Sequence, residues 1–184
     1  GSRLHDGGGR MMDVVIRRRQ QSDLAALAEV LVRVYARDGY PVEGVDDPEA
    51  WIAPPAELAA WTAVLGQEVI GHVALARARD DDDSAALWQR ATSGDIGRLT
   101  ILARLFVDPG CRNVGAGSLL MGAARRFADE HGLAIAFDVM LKDSAAIRLY
   151  EKLGYQRLGT IVHEYSGGKV EAAAVYFLPG YSSN

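Results

Sequence analysis

Apolar residues along the chain fall into two rhythms, one near 3.6 residues and one of two. The switches between them mark out the elements. Residues 14–18 form a short β-rich run. Ser22 and Asp23 then supply a helix start. Leu24, Leu27, Ala28, Leu31, Val34 and Tyr35 follow at helical spacing as one apolar stripe that ends near Asp38-Gly39. Residues 40–58 hold four of the six prolines, Pro41, Pro48, Pro54 and Pro55. They read as an irregular segment with a short helical piece around Trp51. Strands are expected at residues 60–65 and 68–76 around Gly66-Gln67, a two-residue loop with glycine first that suits a type II′ hairpin turn.

Asp80, Asp81, Asp82 and Asp83 repel one another and read as a solvated loop, with a short helix over residues 84–90. Residues 99–107 are apolar on both faces: Leu99, Ile101, Ala103, Leu105 and Val107 on one, Leu102 and Phe106 on the other. That is the pattern of a central strand covered on both sides. Pro109-Gly110 ends it. A helix is expected over residues 115–131, with Leu120, Ala124, Phe127 and His131 at helical spacing and Gly132 as its cap. A strand follows over residues 133–140. Asp143 or Ser144 then caps a helix striped by Ala146, Leu149, Tyr150 and Leu153 and closed by Gly154. Residues 156–165 and 170–178 alternate around Ser166-Gly167-Gly168-Lys169 and read as a hairpin. The order β-α-α-β-β-β-α-β-α-β-β predicts an α/β domain with a mixed sheet and no internal repeat.

Composition narrows the classes. The 184 residues fit one domain. At that length roughly 70% of the unfolded surface can be buried. Apolar residues make up 49% and charged residues 24%, ordinary for a globular chain. The single cysteine, Cys111, excludes an intrachain disulfide and a cysteine-rich zinc site. No metal is expected. A net charge of −4 argues against a general nucleic-acid binder. No apolar run approaches the roughly 20 residues of a membrane span. Residues 1–11 lack an apolar stretch and so do not read as a signal peptide. Gly1-Ser2 looks like an expression remnant, and Gly7, Gly8 and Gly9 are expected to be flexible. Setting residues 1–11 aside leaves one domain over residues 12–181, expected in the cytoplasm and as a possible homodimer.

The candidate chemistry starts at Leu105-Phe106-Val107-Asp108-Pro109-Gly110-Cys111-Arg112-Asn113-Val114-Gly115-Ala116-Gly117-Ser118-Leu119-Leu120. A strand runs into a glycine turn and on into a helix. The first N–H groups of a helix lack intrahelical partners and the macrodipole makes that end positive, so a diphosphate suits it. Gly115 and Gly117 let backbone approach phosphate oxygens, and Arg112 adds a cation. A Walker loop needs Gly-Lys-Ser/Thr, which is absent. A dinucleotide fingerprint needs a small residue where Leu120 stands, although Asp138 lies about 20 residues on, as that fold requires. A plain tight turn is the remaining reading.

A second segment, Asp143-Ser144-Ala145-Ala146-Ile147-Arg148-Leu149-Tyr150-Glu151-Lys152-Leu153-Gly154-Tyr155, lies one strand further on. With Arg-x-x-Gly-x-Gly at 112–117, it resembles the GCN5-related N-acetyltransferase pattern, over residues 99–155. The resemblance implies an acyl-CoA N-acyltransferase fold, with a central mixed, mostly antiparallel sheet flanked by helices. It implies acetyl-CoA as co-substrate and a primary amine as acceptor. It places Leu105, Phe106 and Val107 against the pantetheine arm, with one backbone N–H for the oxyanion. It places Arg112, Asn113, Val114, Gly115, Ala116, Gly117 and Ser118 at the pyrophosphate and Asp143 and Ala146 at the cofactor. Asp143 stands where the family usually has Asn. The resemblance also implies that Tyr150 is the acid that protonates the leaving thiolate; the other reading is a packing tyrosine on the apolar stripe.

Many relatives carry a base carboxylate on the central strand. Residues 98–107 hold Arg98 and Arg104 and no Asp or Glu. His72, His163 and Glu164 are the other base candidates, and Trp51, Trp61, Tyr35 and Tyr40 are candidates for an acceptor pocket. No acid or histidine beside Cys111 marks it as a nucleophile, so direct transfer is expected. The competing reading is an acyl-CoA sensor without turnover.

Overall fold

The computed structural model describes residues 3–5 and 11–180. Gly1-Ser2, Gly7 to Gly9 and residue 181 lie outside them. The described elements are β1 (Arg3–His5), β2 (Met11–Arg18), α1 (Leu24–Asp38), α2 (Pro48–Ile52), β3 (Glu57–Leu65), β4 (Glu68–Arg77), α3 (Asp83–Thr92), β5 (Leu99–Val107), α4 (Ala116–Glu130), β6 (Ala134–Met140), α5 (Ser144–Lys152), β7 (Gln156–Tyr165) and β8 (Lys169–Phe177). Departures from the reading above begin in the strands. Residues 3–5, set aside by sequence, form a strand whose Arg3 pairs with Asp13 of β2. And β3 begins three residues early, at Glu57.

The chain forms two compact units. One holds the residues up to Leu75 together with Ala103–Arg126; the other holds Ala76–Leu102 and the residues from Phe127 on. In the first unit the strand order is β1-β2-β3-β4-β5. β2 runs antiparallel to both β1 and β3. Gly66, at φ 64°, turns β3 into β4. β4 meets β5 where the Asp108 N–H donates to the Ile70 carbonyl at 2.7 Å. The apolar stripe of α1 packs Leu24, Leu27, Leu31 and Val34 with Ile52 and Phe106. Leu27 and Leu31 are wholly buried, each worth about 1.5–3 kcal/mol by transfer from water. Gly39 (φ 70°) ends α1 in the left-handed conformation, its N–H bonded to the Tyr35 carbonyl.

The start of α1 is anchored by a buried charge rather than by the expected side-chain cap. Asp23 is buried and accepts from Arg17 through both oxygens at 2.6 and 2.8 Å, from the Gln20 N–H at 2.8 Å and from Thr62 at 3.0 Å. The guanidinium beside it, aided by the backbone and hydroxyl donors, holds its carboxyl down at about 2 against the opposing effect of burial.

In the second unit the order is β5-β6-β8-β7. β5 and β6 are parallel, and β8 is antiparallel to β6 and β7. Helix α3 covers this sheet through Ala85 and Trp88, packed with Leu99 and Ala136. Phe137, Tyr150, Tyr155 and Tyr176 form a ring cluster, with Phe137 4.6 Å from Tyr150 and 5.1 Å from Tyr155. Antiparallel pairings on either side of the parallel β5–β6 step give a mixed, mostly antiparallel architecture. No helix among the described residues is long and apolar enough to cross a membrane.

Candidate active site

The central strand carries a local irregularity. The parallel ladder of β5 runs Leu99↔Ala134, Thr100↔Ile135 and Ile101↔Ala136, and ends there. Three residues on, Arg104 has φ 56°, a left-handed conformation costing about 1–2 kcal/mol in a residue with a Cβ. Surrounding contacts hold it there. Its carbonyl accepts from His72 Nδ1 at 2.9 Å, and its Nε donates to the Trp51 carbonyl at 2.5 Å. Phe106 is buried, stacked 5.3 Å from the His72 ring, while Leu105 and Val107 are half-buried. Gly71 of β4 lies so close to this stretch that a Cβ there would sit 3.0 Å from the Phe106 carbonyl oxygen.

Beyond Val107 the chain makes a 3-10 stretch, Pro109–Val114, where sequence gave only a stop signal. Asp108 anchors it, accepting from the Gly110 N–H at 3.0 Å and from Arg33 at 2.6 Å. Gly115 then adopts φ 78°, and its carbonyl accepts the first helical hydrogen bond, from Leu119 at 3.2 Å. Gly115 is therefore the N-cap of α4, one residue later than expected. The N–H groups of Ala116, Gly117 and Ser118 are those without an intrahelical acceptor. Val114 and Ala116 are buried, so their side chains pack inward and leave backbone as their polar offering. Asn113 is exposed. Arg112 forms an ion pair with Asp38; both side chains are more than a third exposed, so the pair is worth little and is exchangeable.

In the second unit Asp143 caps α5, its Oδ1 accepting from the Ala146 N–H at 3.1 Å. Both residues expected at the cofactor thus already serve each other. Tyr150 is buried, and its hydroxyl has no hydrogen-bond partner among the described residues. Burial above all, and then the Asp143 charge, push its pKa up, so the phenol keeps its proton.

The base candidates differ. His72 is fully buried, with Nε2 3.0 Å from Arg19 Nη1. A guanidinium only donates and a carbonyl only accepts, so Nδ1 carries the proton and the Nε2 lone pair is taken. Burial, with Arg19 and Arg104 nearby, lowers its pKa to about 3. Arg19 is held bidentately by Glu57 at 2.6 and 2.7 Å, a Glu57–Arg19–His72 chain that sequence reading missed. Its one sequence signal is a histidine and an arginine within or beside otherwise apolar strands. His163 Nε2 lies 2.8 Å from Asp138 Oδ2, and Glu164 is exposed. Trp51 and Tyr40 meet edge to face at 5.6 Å; Trp61 is buried under Arg18 instead, and Tyr35 is half-buried. Burial and the Asp108 charge raise the Cys111 thiol pKa, which disfavours a thiolate nucleophile. Asp82 accepts from the Arg79 N–H at 2.8 Å ahead of α3. No three His, Cys, Asp or Glu side chains among the described residues gather as a metal site.

The architecture is a mixed α/β fold whose central strand passes a left-handed residue, Arg104, and runs on into a glycine-capped helix start. The chain belongs to the acetyltransferase (GNAT) family, whose model matches residues 25–155. Solved structures share the fold. The ribosomal-protein-alanine N-acetyltransferase from Brucella melitensis superposes with a TM-score of 0.69 at 16% identity, over 89% of this chain and 98% of that one. Arabidopsis thaliana NAA60 in complex with acetyl-CoA gives 0.69 at 19% identity, over 89% and 97%. The protein yncA from Salmonella typhimurium, with its cofactor acetyl-CoA, gives 0.67 at 15% identity, over 92% and 96%. No curated protein matches the sequence.

Proposed function

We propose that this family member is an acetyl-CoA-dependent N-acetyltransferase that acetylates a primary amine by direct attack. The observation that carries the reading is the left-handed Gly115 N-cap, which leaves the Ala116, Gly117 and Ser118 N–H groups as donors at the positive end of α4. That arrangement suits a diphosphate, and acetyl-CoA supplies an activated thioester when bound. Arg112 would exchange Asp38 for a phosphate oxygen. The backbone of Leu105, Phe106 and Val107, past the end of the β5 ladder, would hold the pantetheine amides and polarise the thioester oxygen.

The amine nitrogen forms the C–N bond as the C–S bond breaks. The acceptor ammonium first loses a proton to water or to a group other than His72, and the neutral amine attacks. The Tyr150 hydroxyl would then give its proton to the departing thiolate and be reprotonated, through solvent, by the second proton released from the new amide nitrogen. Tyr150→Phe is expected to lower kcat by about 10²–10⁴-fold with acetyl-CoA affinity kept, read by free-thiol release and by calorimetry. An unchanged kcat would assign Tyr150 to packing alone.

A second reading, an acyl-CoA sensor, is favoured by one observation: His72 is committed to Arg19 and Arg104, and β5 has no carboxylate. A sensor would bind acetyl-CoA and release no thiol with any amine.

A further inference from the structure

The acceptor's chemistry bears on Arg104. Its Nε is fixed on the Trp51 carbonyl and its guanidinium carbon lies 4.8 Å from the Trp51 ring centroid. Those two contacts set the plane and direction of the fork. The remaining edge, Nη1 and Nη2, makes no hydrogen bond to any described residue. The side chain is half-buried, where an unpaired charge is costly.

Its neighbours do not neutralise it. Arg19 and Glu57 satisfy each other at 2.6 and 2.7 Å. His72 is neutral and doubly engaged. Glu43 accepts from Trp51 Nε1 at 2.5 Å. A planar fork with a free edge matches a carboxylate bidentately. The acetylated pantetheine arm carries no anion, and the diphosphate is assigned to the turn after β5.

We propose that Arg104 binds the carboxylate of the acceptor, so that the substrates are amines bearing a carboxylate, such as amino acids, rather than polyamines. The proposal rests on the acetyl-transfer reading above. The indole beneath the fork fixes its pose, and a second cation approaching the same strand is repelled.

The test uses paired acceptors, amino acids and their amides, with free-thiol release by wild type, Arg104→Gln and Arg104→Lys. The wild type is expected to favour acids over amides by about 10–100-fold in kcat/KM, the range of a charge-assisted hydrogen bond. Arg104→Gln should collapse that ratio through the KM of the acids, and Arg104→Lys should keep part of it. A ratio within each variant cancels any general loss of activity. If no pair turns over, binding of the same compounds to CoA-loaded protein is measured by calorimetry, with the same preference expected. Equal handling of acids and amides by the wild type, or a ratio retained in Arg104→Gln, overturns the proposal. Failure of the wild type to bind acetyl-CoA would instead sink the reading on which it rests.

Discussion

His72 shows how a residue offered by sequence as a base can be committed elsewhere. Protonating it would break its bond from Arg19 in a buried setting, which holds its pKa at about 3 against about 6.5 in an unfolded chain. Between those values the unfolded chain binds a proton that the folded one refuses, so stability falls as pH drops from about 6.5 toward 3. Asp23 adds a lower window. Its folded pKa of about 2 lies below the unfolded value near 3.9, so its contribution is complete above about 4 and is lost as pH falls toward 2. Denaturant titrations across pH ~7 to ~2 should show both phases. His72→Gln should flatten the upper one and leave the lower. A slope unchanged in His72→Gln would contradict the assignment. Sequence offered His72 as a strand residue of suitable pKa. It could not show partners 53 positions before it and 32 after it in the chain, and those partners decide its role.

At the scale of elements, the strand–turn–helix from β5 to α4 was readable because its signals are local: an apolar run, Pro109-Gly110, then Gly115 and Gly117. Gly115 at φ 78° is the position where glycine is required. Gly115→Ala should lose about 1–2 kcal/mol, and Gly115→Asn less, since Asn tolerates the left-handed region. Thermal unfolding checks both; equal stability of wild type and Gly115→Ala would contradict the conformation. The Asp143 cap of α5 was also legible from its place before the apolar stripe. The left-handed Arg104 was not. Nothing in a run of apolar residues marks an arginine for that conformation, which depends on contacts from β4 and α2.

At the scale of the molecule, two hydrophobic rhythms were enough for the mixed architecture and for most of the element order, which lacked β1 and α3. The pairings of Arg17 with Asp23 and of Arg19 with Glu57 were not, because charged residues at strand ends look solvent-facing in sequence. The family motifs span the stretch from β5 to α5, and the family match from 25 to 155 extends the same assignment toward the N-terminus. On the proposed reading, acetyl transfer depends on the diphosphate resting at the turn before α4. The most direct measurement is calorimetric titration of acetyl-CoA into wild type and Gly117→Glu. Gly117 sits in the first turn of α4 with no positive φ, and a glutamate there suits the helix dipole, so the variant should fold. The account predicts binding by the wild type and at least about tenfold weaker binding by the variant, one charge-assisted contact's worth. A folded wild type that does not bind, or a variant that binds equally well, would contradict it.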